Sequence, residues 1–155
     1  MKELYTTLLH IIKDGKILLA EKKRGFGKGL FNGVGGKVEE NESIEEAMIR
    51  ETKEEIGVTP TNYVKHGLLV FDEFVKGERT KVFMNIYTAY DYLGEPVESD
   101  EMKPVWFSLD QIPYDKMFAD DKFWMNNILE GHSFVGSFVY DENFNLLYSK
   151  VVREN

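Results

Sequence analysis

Residues 36–58 read GKVEENESIEEAMIRETKEEIGV, and the period of this stretch decides the fold that carries it. At 3.6 residues per turn, Ile44, Ala47 and Met48 mark an inward stripe that Glu51 and Glu55 continue, with Glu54 just beside it. A carboxylate on a core-facing stripe is costly unless something positive holds it. The i, i+3 and i, i+4 spacings make Glu51, Glu54 and Glu55 neighbours, and a hard divalent cation is the natural partner for such clustered oxygens. Ser43 and Glu46 form an S-x-x-E capping signal, and Gly57 with Pro60 stops the run. The spacing therefore predicts a metal-carrying helix over 43–56. The bland alternative is a surface helix laced by Glu46–Arg50 and Arg50–Glu54 pairs. It suits Glu45, Glu46 and Lys53 on the outer arc and fails for Glu51 and Glu55.

Working outward, residues 4–12 and 17–20 are β-rich runs joined by Asp14-Gly15, a hairpin signal. Residues 22–36 are rich in Gly and Lys, lack periodicity and read as a loop. Beyond the helix, 63–75 and 80–92 read as a long hairpin around 76–78, and a polar loop over 94–103 precedes Val105, Trp106 and Phe107. Asp120 and Asp121 lead into a second helix over 122–130. Residues 134–140 and 146–152 close the chain as a hairpin. The order β-β-α-β-β-α-β-β predicts an α+β fold with sheets flanked by helices, in one domain spanning 1–155.

A net charge of −8 argues against gripping a nucleic-acid polymer or an anionic membrane by bulk electrostatics. A small polyphosphate remains compatible, because bound cations invert the local sign. With no cysteine, disulfides, thiolate metal sites and cysteine nucleophiles are excluded. The first ten residues lack signal-peptide features, and no apolar run reaches spanning length. The expectation is a cytoplasmic monomer acting on a small molecule.

The spacing G-x5-E-x7-R-E-x2-E-E-x-G, here Gly36, Glu42, Arg50, Glu51, Glu54, Glu55 and Gly57, resembles the Nudix box. At about 7% usage per residue, seven fixed positions coincide roughly once in 10⁸ placements. The resemblance implies a Nudix fold, mixed and antiparallel β-sheets sandwiched between α-helices, with the box over 36–58. It also implies Mg²⁺, with Mn²⁺ as a substitute, held by Glu51, Glu54 and Glu55, by Glu101 and by backbone at Gly35 and Gly36. Arg50 would orient the glutamates, pairing with Glu42 or a neighbour. Glu54, Glu55 and Glu101 remain open as the general base. One departure is Thr52, where the family has an aliphatic residue; a small packing penalty is expected.

Outside the box, KKRGFG (22–27), NGVGGK (32–37), PVESDEM (96–102), Trp106-Phe107 and Asp120-Asp121 are similar, in order and spacing, to the animal-type hydrolases of oxidised purine nucleoside triphosphates, the 8-oxo-dGTP diphosphatases. That similarity implies that Asp120 and Asp121 read a purine edge with a shared proton, although an Asp pair before a helix also suits capping. It implies substrate contacts for Asn32, otherwise a turn residue, for Phe26 and Phe71, otherwise core, and for Thr7, Lys22, Gly35, Gly36 and Lys37. Phe118 stands where the subfamily stacks a tryptophan on the base, so it offers less area and no indole N–H. Tyr114, Met117, Trp124 and Met125 read as packing residues. The expected activity is Mg-dependent cleavage of oxidised purine (deoxy)nucleoside triphosphates to monophosphate and pyrophosphate. The alternatives are a Nudix hydrolase of another nucleoside triphosphate or diphosphate-linked substrate, or a nucleotide-sensing domain without turnover.

Overall fold

In a computed structural model, which describes residues 1–154, nine strands and two α-helices follow in the order β1 (Lys2–Lys13), β2 (Lys16–Lys22), β3 (Phe31–Asn32), β4 (Val34–Lys37), α1 (Ile44–Ile56), β5 (Thr59–Val75), β6 (Glu78–Leu93), β7 (Met102–Ser108), α2 (Asp121–Glu130), β8 (Ser133–Tyr140) and β9 (Leu146–Glu154). The sheet is mixed, with the order β3-β2-β1-β6-β5-β8-β9, β4 pairing with β1 and β7 with β2. The β1–β6 and β5–β8 pairs are parallel, and the rest are antiparallel.

Five consecutive β1 residues, Thr7 to His10 and Ile11, are buried, so this strand is covered on both faces. Alternation then sorts the core. Leu8, Ile17, Leu19 and Leu69 pack with Trp124, Met125 and Ile128 of α2. Leu9, Ile11, Leu18 and Ala20 pack with Met48 and Ile56 of α1. The α+β sandwich expected from the sequence is the one observed.

The 22–36 loop expectation needs correction, because Phe31–Asn32 and Val34–Lys37 are strands. Gly35 and Gly36 pair with Leu8 and Thr7 of β1. A Cβ on Gly35 would lie 1.8 Å from the Thr7 carbonyl oxygen. Only glycine allows so close an approach, and glycines carry no side chains to display a period of two. The helix behaves as its caps predict: the Ser43–Glu46 box is formed in both directions, and Gly57 closes α1 at φ 78°. Thr52 is fully buried, and its Oγ1 donates to the Met48 carbonyl at 2.8 Å, so the hydroxyl is not left bare.

Candidate active site

Arg50 organises the outer half of the site. Its Nε and Nη2 clasp both Glu42 oxygens at 2.8 Å. Nη1 reaches Glu51 at 2.9 Å and Glu54 at 3.2 Å, and Nη2 also donates to the Lys37 carbonyl at 3.1 Å. A planar fork with five donors can hold this many acceptors at once; an ammonium cannot. The hydrogen bonds from Arg50 hold the Glu42 carboxyl down at about 2.

The inner half is strained electrostatically. A Cβ on Gly36 would sit 2.5 Å from the Glu51 carboxyl carbon, so the bare β4 backbone makes room for that carboxylate. Glu55 lies beside Glu51 with its Oε2 buried and unpartnered. Burial first, then the charge of Glu51, pushes the Glu55 carboxyl up to about 8, with Lys22 opposing. Two acids forced together, Glu51 held by Arg50 and Glu55 left with a bare oxygen, are what the helical stripe implied.

A cleft runs from there across the sheet. Thr7, Lys22, Phe26, Asn32, Gly35, Gly36 and Phe118 border its wide part. Thr7 Oγ1 is buried without a partner. The inner end is a slot bordered by Phe26, Asn32, Phe71, Phe118, Phe144 and the Asp120–Asp121 pair. Phe26 and Phe118 stack, with centroids 5.8 Å apart and planes at 16°. Phe71 lies flat against Phe138 and forms part of the floor. The Asn32 Oδ1 accepts from the Gly33 N–H at 2.9 Å, which directs its amide group.

At the end of the slot, Asp120 makes no side-chain cap to α2. Its oxygens accept instead from Tyr140 Oη at 2.5 Å and Trp124 Nε1 at 2.8 Å. Asp121 is 2% exposed and its Oδ2 has no partner. Burial raises both carboxyls, and the charge of Asp120 drives Asp121 well above the usual range. A neutral carboxyl both donates and accepts, so this end can match a base edge that does the same.

Not every expected site residue joins the cluster. Glu54 is 60% exposed and is engaged by Arg50. Glu101 pairs with Arg24 at 2.8 Å, which lowers its carboxyl. The Lys37 side chain is exposed and borders shallow depressions outside the cleft. Among the described residues no three acidic or histidine side chains are preassembled for a metal. Conversely, Phe144, Met84 and Glu73 line the slot and Tyr140 holds Asp120 from behind it, and none of the four is marked by a sequence signal. Trp124 does more than pack, because its indole N–H holds Asp120. Tyr140 lies 20 residues from Asp120, beyond any local spacing signal.

A helix that delivers two abutting acids to a glycine strand, beside a cleft that leads to an aromatic slot, suits hydrolysis of phosphoanhydrides attached to a flat group. The chain belongs to the Nudix family, whose domain model matches residues 5–128. It is 46% identical to the oxidized purine nucleoside triphosphate hydrolase of Danio rerio over 134 residues, covering 86% of this chain and 85% of the relative. The Mus musculus enzyme of the same name is 41% identical over 144 residues, covering 93% and 90%. Among solved structures, a MutT mutator protein of Bacillus halodurans superposes with TM-score 0.84 at 28% identity, covering 96% of this chain and 97% of that one. Nudix hydrolases generally need a divalent metal, and the residues here fit one. The buried, unpartnered Glu55 Oε2 beside Glu51 is the orphan that a hard cation would satisfy.

Proposed function

We propose that this protein is a Mg²⁺-dependent pyrophosphohydrolase of oxidised purine nucleoside triphosphates, releasing the nucleoside monophosphate and pyrophosphate, with Mn²⁺ as a working substitute. The observation that carries the reading is the buried Asp120–Asp121 pair at the end of a phenylalanine-walled slot, which continues into a cleft bordered by Gly36, the glycine that abuts Glu51. Phe26 and Phe118 sandwich or cover the base by stacking, and Phe71 floors it. Asp120, held by Tyr140 and Trp124, acts as acceptor, while protonated Asp121 donates and accepts. The Asn32 amide completes the polar contacts. Thr7 Oγ1 and the Lys22 ammonium line the route along which the sugar and phosphates lie.

Glu51 and Glu55, with Glu54 and the backbone at Gly35 and Gly36, would hold the metal. When bound, it supplies charge neutralisation of phosphate oxygens and a more acidic water. Arg50 fixes the carboxylates through its four acidic and carbonyl partners and so acts by positioning. The proton released by the attacking water would pass to Glu54 or Glu55; Glu101 is clasped by Arg24. A purified preparation with Mg²⁺ and 8-oxo-dGTP should release pyrophosphate and 8-oxo-dGMP. Release from other nucleotides with none from 8-oxo-dGTP would overturn the assignment. Removal of an oxidised nucleotide before polymerisation is the role this activity serves.

A further inference from the structure

Strand β5 alternates across the sheet. Phe71, Glu73 and Val75 face the cleft, and Asp72 faces away. Asp72 is clasped by Arg79 through two bonds of 2.9 and 2.6 Å. Glu73 has no such partner: among the described residues, what acts on it is burial, then the charge of Asp120, which together push its carboxyl up to about 7. Its neighbours along the strand on that face, Phe71 and Val75, are apolar, and an aliphatic or aromatic side chain would continue that packing. Instead an acid borders both the inner slot and the wide cleft, together with Asn32, Met84 and Phe118. A half-buried carboxyl without a protein donor is costly until a ligand supplies one.

We propose that Glu73 is a specificity-determining residue, a third acidic contact near Asp120 that accepts a hydrogen bond from a purine N–H and disfavours bases turning a lone pair toward it. This rests on the reading of the slot as a purine pocket. The chemistry discriminates in the right direction. Oxidation at C8 converts N7 from a lone-pair acceptor into an N–H donor, and guanine adds a 2-amino group that hypoxanthine lacks. In its ionised form, at pH above about 7, the acid at the slot's edge gains with each donor and repels the acceptor form.

The test compares kcat/KM of wild type, E73L and E73Q for 8-oxo-dGTP, dGTP and dITP at a pH above that at which Glu73 ionises. In E73L, the ratio of 8-oxo-dGTP to dGTP, or that of dGTP to dITP, should fall by about tenfold. E73Q should fall less, because its amide oxygen still accepts. Each ratio is internal to one preparation, so partial loss of folded protein cancels. Both ratios within about twofold of wild type in E73L overturn the proposal; if E73L does not fold, the same result in E73Q overturns it. If wild type hydrolyses none of the three, the proposed activity is what has failed. Calorimetric Kd ratios for 8-oxo-dGMP, dGMP and dIMP, in the same three proteins, then decide the role of Glu73 by the same criterion.

Discussion

Replacing Asp121 with Asn tests whether the acid pair carries a proton near neutrality. The two donors on Asp120, Tyr140 Oη–H and Trp124 Nε1–H, favour its carboxylate, so the pair's proton resides mainly on Asp121. Burial and the Asp120 charge raise Asp121 well above its ordinary value. The folded chain therefore keeps a proton that the unfolded chain releases above about pH 3.9. Stability from this group is greatest below that value and falls as pH rises toward the folded pKa. Each unit within that window costs about 1.4 kcal/mol, so the two units from pH 5 to 7 set a ceiling of about 2.7 kcal/mol. Asn is nearly isosteric, does not titrate and leaves Asp120 ionised on its two donors. Urea denaturation of both proteins at pH 5 and pH 7 measures the effect, since groups titrating alike in both cancel. D121N should gain on wild type between the two pH values, by up to about 2.7 kcal/mol. Parallel pH slopes would refute the buried, protonated acid, and with it the donor assigned to the base edge.

Glu55→Gln should reduce pyrophosphate release by about 10²–10⁴-fold. The metal-free melting temperature should hold or rise, because an opposed buried acid has gone; retained turnover would remove Glu55 from the site. Arg50→Lys cannot restore the fork on Glu42 while reaching Glu51, Glu54 and the Lys37 carbonyl, so kcat should drop about tenfold or more. Glu42 is held at about 2 by Arg50, so its contribution is present above its ordinary value and lost as pH falls toward 2. Acid titration followed by circular dichroism should therefore show R50K unfolding at higher pH than wild type. Gly35→Ala places a methyl against the Thr7 carbonyl, and denaturant unfolding should show a loss of at least about 3 kcal/mol.

The cleft depends on how distant strands meet, and here the sequence could be read only in part. The β4 strand went unrecognised because its pairing with β1 is made possible by missing side chains at Gly35 and Gly36. The β8–β9 hairpin brings Phe144 into the slot and Tyr140 onto Asp120, and the alternation of β5 brings Glu73 to the slot. None of these carries a spacing relation to the Nudix box. Glu54 and Glu101 were legible as acids near the site, but their partners Arg50 and Arg24 place them at its edge.

What the sequence determined by itself is the helix over 43–56, its Ser43–Glu46 and Gly57 caps, and the line of acids along its inner face. These rest on interactions within a few residues, where the 3.6-residue period sets who meets whom. The α+β class follows from the same local periodicities, as do eight of the elements in their order, while β3, β4 and β7 come from the tertiary pairing. The tertiary structure alone decided that Glu51 sits against Gly36, that Glu55 is left with a buried, unpartnered oxygen, and that Asp120 is held by Tyr140 and Trp124 rather than capping its helix. Those outcomes depend on parallel pairings between remote strands and on burial, which change the charge state of an acid without changing its place in the chain.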